Sequence, residues 1–317
     1  MDTNTENIFP STLGGSSSRV TPVYVYLNGD VVMEDEAVVS IRDRGFLYGD
    51  AIFETLRSYD GRPFMLKDHL ERLMASAHAL GIHTEHTTDE LHQAVMHLLD
   101  LNKLKDAYIR ITLSRGEGGK GLMPDATSSP TLVIENRPLR PYPDELYKKG
   151  IRLIVSDYRR STSDPIARHK TANFLTGIQA RQEASKKDNQ DALFLDTDGN
   201  VCEGTVWNIF MVEGSRVVTP STTVNILPGI TRKVVLKICR DKGIATSEEL
   251  FPAERLLEAD EVFITSSLME IMPVATIANH RIGTKIPGKI TRRLMEAYKK
   301  LTKVAPEEEG EVGSRVP

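Results

Sequence analysis

Three short segments in the second half of the chain carry side chains that could do chemistry together, and the first contains a lysine. Lys170 stands at the start of a helix predicted from about Thr171, in the run Arg168 to Leu175. The positive end of a helix dipole disfavours an ammonium ion, so the pKa of this lysine would fall, as a nucleophilic amine requires. An ordinary surface lysine is the alternative, since most lysines are exposed.

The second segment places a carboxylate among apolar and aromatic residues. Glu203 lies between a turn and a predicted strand that contains Trp207 and Phe210. A partly buried carboxylate needs a cationic partner, and a protonated pyridine nitrogen would be one. A structural salt bridge to an arginine is the alternative interpretation.

The third segment combines a tight turn with a helix start. Pro228 and Gly229 predict the turn, and Thr231 could cap a helix that runs to Gly243. The free N–H groups of Ile230 and Thr231 could then bind a phosphate at the helix N-terminus. Taken alone, the pattern is more typical of an ordinary capped helix.

Other patterns suggest chemistry but lack the rest of a site. The loop Gly116–Gly121 matches G-x-G-x-x-G, but the residues after it do not start a helix, so a dinucleotide site is not predicted. We interpret it as a mobile glycine loop that could act as an active-site lid. The histidines from His78 to His97 lack metal-ligand spacing, and Asp196–Asn200 lacks the later calcium ligands. We therefore predict no metal site.

The order and spacing of the three segments resemble the class IV pyridoxal-phosphate enzymes of fold type IV. This family includes branched-chain aminotransferases, D-amino acid transaminases and aminodeoxychorismate lyases. Its Glu-Gly-x-x-x-Asn-aliphatic-aromatic stretch appears as Glu203 to Phe210, and its Leu-Pro-Gly-Ile-Thr-Arg as Leu227 to Arg232. The likeness runs from about Val23 to Tyr298. It implies an α+β fold of the D-amino acid aminotransferase-like type, with a smaller N-terminal domain, a larger C-terminal domain and the cofactor in the cleft.

The resemblance also implies the cofactor, pyridoxal 5′-phosphate (PLP), and roles for individual residues. Lys170 corresponds to the catalytic Schiff-base lysine, and Glu203 to the partner of the pyridine nitrogen. Arg72, in the run Asp68 to Leu73, corresponds to a phosphate ligand, although an exposed Asp68–Arg72 ion pair is the alternative. Phe174 occupies a place that often holds Tyr. The implied cofactor-binding set is Arg72, Lys170, Phe174, Glu203, Asn208, Ile230, Thr231 and Ser267.

Substrate specificity is less clearly indicated. The turn at Ser267 and Leu268 would face the substrate carboxylate, and relatives carry smaller residues than Leu268 there. The Arg-x-His pair of D-amino acid transaminases is absent, because Lys120 and Leu122 stand at those positions. The glycine loop, however, resembles that of aminodeoxychorismate lyases. Five residues resemble the substrate-binding positions of branched-chain enzymes, and Leu268 of the turn completes the implied substrate-binding set. The set is Tyr48, Phe53, Arg57, Tyr108, Arg110 and Leu268.

We rank a transaminase acting on branched-chain or other aliphatic amino acids and a 2-keto acid such as 2-oxoglutarate first. A D-amino acid or (R)-amine transaminase ranks second, an aminodeoxychorismate lyase third, and a cofactor-free scaffold of the same fold remains as a non-enzyme alternative. Relatives place the glycine loop over a partner's active site, so the resemblance also implies a homodimer or a higher homo-oligomer.

The elements that must position these residues follow from hydrophobic periodicity. Strands with turns at Asn28-Gly29 and Asp60-Gly61, and two amphipathic helices, predict an N-terminal domain over 21–136. Three prolines in 138–143 favour an extended linker over 137–149. Further strands and helices fill a larger domain over 150–302, without a regular βαβ order. Residues 1–20 and 303–317 are predicted to be flexible tails.

Composition limits the partners. The 317 residues carry a net charge of −4 with basic residues dispersed along the chain, which argues against nucleic acid as a partner. No apolar run approaches the roughly 20 residues that cross a bilayer. We find no signal peptide, and the two cysteines predict no disulfide framework. We expect a cytoplasmic enzyme whose substrates are small molecules, namely an amino donor and a keto-acid acceptor. We expect no membrane or nucleic-acid partner.

Overall fold

The structure, a computed structural model, describes residues 22–125, 128–223 and 225–303. The predicted N-terminal tail, and the predicted C-terminal tail after Lys303, lie outside these residues. Within the described ranges, no helix is long and apolar enough to span a membrane. The mixture of helices with two sheets confirms the predicted α+β class.

The first part of the chain forms a six-stranded antiparallel sheet in the order β2-β1-β6-β5-β3-β4. Two helices cover one face of this sheet, where Leu56 of β3 and Leu70 of α2 are fully buried. The predicted turn at Asn28-Gly29 is confirmed by positive φ values at both residues. The elements are β1 (Tyr24–Leu27), β2 (Asp30–Met33), α1 (Arg44–Tyr48), β3 (Ala51–Tyr59), β4 (Arg62–Pro63), α2 (Leu66–Ala79), α3 (Thr88–Leu101), β5 (Ala107–Ser114) and β6 (Thr131–Pro138).

The second part forms a nine-stranded mixed sheet in the order β12-β11-β10-β13-β14-β7-β8-β9, with β15 beside β14. The elements are α4 (Asp144–Lys149), β7 (Ile151–Arg160), α5 (Leu175–Lys186), β8 (Asp191–Asp196), β9 (Val201–Gly204), β10 (Asn208–Glu213), β11 (Arg216–Pro220), α6 (Ile230–Asp241), β12 (Thr246–Glu249), α7 (Ala253–Leu257), β13 (Glu261–Ser266), β14 (Glu270–Ile277), β15 (His280–Arg281) and α8 (Lys289–Leu301).

This second sheet closes on itself, because β9 also pairs with β10 through Glu203 and Asn208. Buried side chains such as Leu153, Leu193 and Ile209 belong to one cluster packed within the second sheet. Helices α6 and α8 cover the strands that carry Phe210 and Phe263, whose rings stack 4.9 Å apart.

The boundaries of some elements differ from the sequence prediction. Helix α2 begins at Leu66, with Asp68 in its first turn, and Met65 takes the N-cap position with a left-handed φ of 57°. Strand β6 continues to Pro138, and α4 occupies 144–149 of the predicted linker. Only residues 139–143 of that linker therefore lack helix or strand, and the domain division there stays a prediction.

Candidate active site

A cavity of about 650 Å3 lies between the two sheets and takes its walls from both parts of the chain. Twelve of the fourteen residues predicted for the cofactor and the substrate line it. They are Phe53, Arg72, Tyr108, Arg110, Lys170, Phe174, Glu203, Asn208, Ile230, Thr231, Ser267 and Leu268. Residues more than 200 positions apart in the sequence, such as Phe53 and Leu268, thus share one cavity.

The backbone around Lys170 is held against the first sheet. The Phe53 N–H donates to the Lys170 carbonyl at 2.9 Å, and Thr171 bridges Ile52. The Lys170 Nζ atom lies 4.6 Å from the centre of the Phe53 ring. The predicted position at a helix mouth was wrong, because α5 begins only at Leu175. Desolvation by burial, rather than a helix dipole, lowers the pKa of Lys170 to about 8.

Glu203 lies on β9 with its carboxylate buried against the turn before α6. Its Oε2 atom accepts from the Leu227 N–H at 3.1 Å and from Asn208 Nδ2 at 3.4 Å. Burial raises the pKa of Glu203 to about 7, while the guanidinium of Arg160, 3.9 Å from Oε1, opposes the rise. The carboxylate therefore lies where an additional cation would stabilise its ionised form.

The first turn of α6 forms another wall of the cavity. Gly229, not Thr231, takes the N-cap position, so the predicted side-chain cap by Thr231 was wrong. A Cβ atom at Gly229 would lie 2.0 Å from Asn208 Oδ1, which explains a glycine there. The first N–H groups of a helix have no intrahelical acceptor, so those of Ile230 and Thr231 can bind an anion in the cavity.

Arg72 joins the first sheet to this turn. Its Nε and Nη2 atoms donate to the two Glu54 oxygens at 2.7 Å each, and its Nη1 donates to the Pro228 carbonyl at 2.9 Å. Burial would raise the pKa of Glu54, but Arg72 and His69 outweigh it and hold the value at about 2. Asp68, the alternative partner considered for Arg72, instead binds Lys233.

This pairing predicts a stability effect for Arg72→Lys. A lysine cannot make the two parallel hydrogen bonds to the buried Glu54, so we expect the free energy of unfolding to fall by about 2 kcal/mol. Urea unfolding of the native and variant proteins measures this change in the free energy of unfolding. The matched control is Arg152→Lys, since Arg152 pairs with Asp188 at the surface and should change little. Equal effects of the two substitutions would contradict the prediction.

Aromatic and cationic side chains form the wall opposite the α6 turn. The Phe53 and Phe174 rings lie 5.3 Å apart, and the Arg110 guanidinium lies 3.8 Å from the centre of the Phe53 ring. Arg110 Nε also donates to Thr112 Oγ1 at 3.0 Å. Burial raises the pKa of the neighbouring Tyr108 hydroxyl. The wall therefore offers an apolar surface with one cation and one neutral hydroxyl at its edge.

Two predicted substrate residues do not line this cavity. Tyr48 lies at the end of α1, half exposed, with the Arg44 guanidinium 5.0 Å from its ring centre. Arg57 pairs with Glu270 at 3.0 Å, which satisfies its charge outside the cavity wall. Within one chain the structure thus gives these two assignments no support, and they stay predictions.

The glycine loop is held by one buried arginine. Arg44 donates to the carbonyls of Gly121 and Leu122, each at 2.9 Å. At the end of the loop, Lys120 forms a short bridge with Met123, where a dinucleotide site would need a helix. The side chains of Leu122 and Met123 are exposed at the tip.

Sequence reasoning missed three ionisable residues that the site uses. Glu54 and His69 are almost completely buried beside Arg72, and Arg160 lies beside Glu203. One signal could have identified Glu54: it follows the period of two that buries Ile52 and Leu56 on β3, so its carboxylate had to face the core. His69 carries a similar signal, because the helical period places it on the buried face of α2 with Leu66 and Leu73. The sequence carries no comparable signal for Arg160.

Comparison with known proteins decides the family. The family model described as "Amino-transferase class IV" matches residues 51–277. The chain is a class IV aminotransferase. A protein of Methanocaldococcus jannaschii named "Putative branched-chain-amino-acid aminotransferase" is 41% identical over 87% of this chain and 95% of that protein. The aminodeoxychorismate lyase of Bacillus subtilis is 34% identical over 90% and 97% of the two chains.

Comparison with solved structures supports the same family as the comparison of sequences. The crystal structure of the Escherichia coli branched-chain amino acid aminotransferase has a TM-score of 0.85 and 31% identity, over 92% of this chain and 98% of that one. The resemblance to the class IV family and the fold type IV architecture are therefore confirmed, and this class IV aminotransferase depends on PLP.

Proposed function

We propose that this aminotransferase moves the amino group of a branched-chain or other aliphatic L-amino acid to a 2-keto acid such as 2-oxoglutarate. The observation that carries the proposal is the cavity wall of Phe53, Phe174 and Leu268, with Arg110 at its edge. An apolar wall suits an aliphatic side chain, and an adjacent guanidinium suits the carboxylate of the second substrate.

The residues present fit PLP on observations of this structure. A lysine of lowered pKa, a buried carboxylate of raised pKa and a helix N-terminus surround one cavity. Lys170 would hold the aldehyde end, Glu203 the ring nitrogen, and Arg72, Ile230, Thr231 and Ser267 the phosphate. Bound there, PLP supplies an electrophilic carbon and a ring that accepts electrons.

The chain's own groups would then handle protons. The amine of Lys170, with a pKa near 8, carries a proton from the substrate Cα as a base and returns it as an acid. The carboxylate of Glu203 stabilises a positive charge on the ring nitrogen. The N–H groups of Ser267 and Leu268, with the Tyr108 hydroxyl, would bind the substrate carboxylate.

One second candidate has specific support. The glycine loop that resembles aminodeoxychorismate lyases is kept in position by Arg44, and the Bacillus subtilis lyase is a relative over nearly the whole chain. A D-amino acid or (R)-amine transaminase has less support, since Lys120 and Leu122 replace the Arg-x-His pair.

The experiment that tests the proposal is a panel of half-reactions on the PLP-loaded protein. The protein is mixed in turn with L-leucine, D-alanine, (R)-1-phenylethylamine and aminodeoxychorismate. The measured quantity is the decay of the absorbance of the bound cofactor above about 400 nm. We expect L-leucine to react fastest. Faster reaction with either D- or R-configured donor, or release of pyruvate from aminodeoxychorismate, would overturn the assignment.

A variant in the same panel tests the acceptor. Arg110→Met keeps a flexible, unbranched side chain, although a shorter one, and removes its charge. We expect kcat/KM for 2-oxoglutarate to fall by about 10²-fold, because a dicarboxylate loses an ionic partner. The value for 4-methyl-2-oxopentanoate, which has no second carboxylate, should change far less. Equal losses for both acceptors would contradict a role for Arg110 in carboxylate recognition.

A homodimer and a cytoplasmic location belong to the same proposal. Large apolar side chains of α1, and of the two residues that follow the glycine loop, are exposed, namely Phe46, Leu47, Tyr48, Leu122 and Met123. Arg44 connects these two segments, so they offer a surface that a second copy could cover. Light scattering should give twice the 35.3 kDa chain mass. A fully active monomer would contradict the homodimer.

A further inference from the structure

A buried chain of side chains connects two of the proposed phosphate ligands. Ser267 Oγ lies 3.4 Å from His69 Nε2, and His69 Nδ1 lies 2.7 Å from Glu54 Oε2. The other contacts of Glu54 are the two hydrogen bonds from Arg72. The side chain of His69 is only 2% exposed, so its hydrogen bonds have no competition from bulk water. None of the proposed proton transfers uses this histidine.

The hydrogen atoms in this chain can be assigned from the charges around it. Glu54 is ionised, so it only accepts, and His69 must therefore donate through Nδ1. Burial lowers the pKa of His69, and the positive charges of Arg72 and Lys170 lower it further, against the opposing effect of Glu54. A neutral His69 that donates at Nδ1 carries a lone pair at Nε2, which faces the hydroxyl of Ser267.

A bound phosphate changes what Ser267 must do. Phosphate oxygens accept hydrogen bonds, so the Ser267 hydroxyl would have to turn its hydrogen from His69 to the phosphate. The Nε2 lone pair would then be buried without a donor, which is costly. One proton on Nε2 removes the conflict, because Nε2 then donates to the Ser267 oxygen while the hydroxyl donates to the phosphate.

Local charge points the same way. The positive charge of the Arg72 guanidinium is already neutralised by the Glu54 carboxylate. The Arg72–Glu54 pair therefore has no net positive charge to balance a phosphate dianion at the α6 turn. A protonated His69 would supply one positive charge behind Ser267. Glu54, paired through Nδ1, would remain beside that charge and stabilise it.

We propose that binding of a phosphate monoester dianion in this cavity is coupled to protonation of His69, which positions the Ser267 hydroxyl as a donor to the phosphate. The inference rests on the proposed assignment of Arg72 and Ser267 to the phosphate. His69 acts through Ser267 and does not touch the ligand. The proton comes from the solvent, and no bond to the ligand forms or breaks.

The test compares pyridoxamine phosphate with pyridoxamine, which differ only in the phosphate. Each is titrated calorimetrically into the full chain freed of cofactor, in two buffers of different ionisation enthalpy, above the pH at which the phosphate is fully dianionic. We expect pyridoxamine phosphate to take up about one proton more per site than pyridoxamine. In this range its Kd should rise with pH, because the bound state holds more protons than the free one.

Three variants test whether His69 binds the additional proton. In His69→Asn the amide can still donate to Glu54 but presents nothing to Ser267, so the additional uptake should disappear. Ser267→Ala removes the hydroxyl and should also abolish it. His92→Asn, which changes an exposed histidine on α3, is the matched control and should leave it unchanged.

The outcomes separate this inference from the proposed function. If pyridoxamine phosphate and pyridoxamine bind equally well to the native chain, the phosphate site itself is wrong. If the phosphate strengthens binding without additional proton uptake, or if His69→Asn retains the uptake, the coupling is wrong. Should the His69 variant fail to fold, the native chain and Ser267→Ala still decide the question, since the coupling requires uptake in the first and none in the second.

Discussion

The Lys170→Ala protein loses amino-group transfer by at least about 10³-fold, because no other group is assigned to carry the proton at the substrate Cα. Borohydride treatment of the loaded native protein should fix the cofactor covalently, and the variant should show no such fixation. The measurements are kcat/KM with the best donor of the panel and the mass of the reduced protein.

The fold of this variant should survive. Burial lowers the pKa of Lys170 from 10.5 to about 8, so the folded state disfavours the charged amine. This destabilisation is complete below about pH 8, where the lysine is charged in both states, and disappears as the pH rises towards 10.5. Removing Lys170 should therefore leave the thermal midpoint at neutral pH unchanged or higher. Lys187→Ala, which breaks an exposed pair with Glu183, is the control and should retain activity. An active Lys170→Ala protein would refute the assignment.

The Glu203→Gln protein is expected to keep its cofactor but to lose about 10²- to 10³-fold in kcat. An amide of the same shape cannot stabilise a positive charge on the ring nitrogen, whereas Lys170 and the phosphate ligands are untouched. Stopped-flow half-reactions with L-leucine measure the effect, and Glu183→Gln at the surface is the control. A variant with native kcat would show that the ring nitrogen does not depend on this carboxylate.

The same substitution has a second, independent signature in the cofactor-free chain. The pKa of Glu203 is raised from 4.5 to about 7, so the folded state holds its proton more tightly than the unfolded state does. The native chain therefore loses stability as pH rises from 4.5 to 7, by at most about 3 kcal/mol, and Glu203→Gln should not show this loss. Urea unfolding at pH 5 and pH 8 compares the two proteins.

The parts of the site that the sequence predicted are those built from consecutive residues. Lys170, the stretch from Glu203 to Asn208 and the turn at Gly229 each depend on local spacing, and all of them line one cavity. The cause given for the lowered pKa of Lys170 was wrong, because its surroundings come from β3, more than 110 residues earlier. Pairing across such separations follows from the register of the whole sheet, which no local pattern encodes.

The same reason explains why residues such as His69 were missed. His69 lies in the same run as Arg72, but its role depends on contacts with Glu54 on β3 and with Ser267 in the turn between β13 and β14. Strand β9 is only four residues long, and its pairing with β10 closes the second sheet around Glu203. Short strands carry too few residues for a period to be recognised.

The attachment of the Lys170 backbone to β3 has a mechanical consequence. The amine belongs to the frame of the first sheet, whereas Glu203 and the α6 turn belong to the frame of the second. Any rotation between the sheets therefore changes the distance from the amine to the opposite end of the cavity. Substitutions beside the backbone hydrogen bond from the Ala172 N–H to the Ala51 carbonyl, which holds this segment on β3, can then alter the rate of proton transfer without touching a reacting atom.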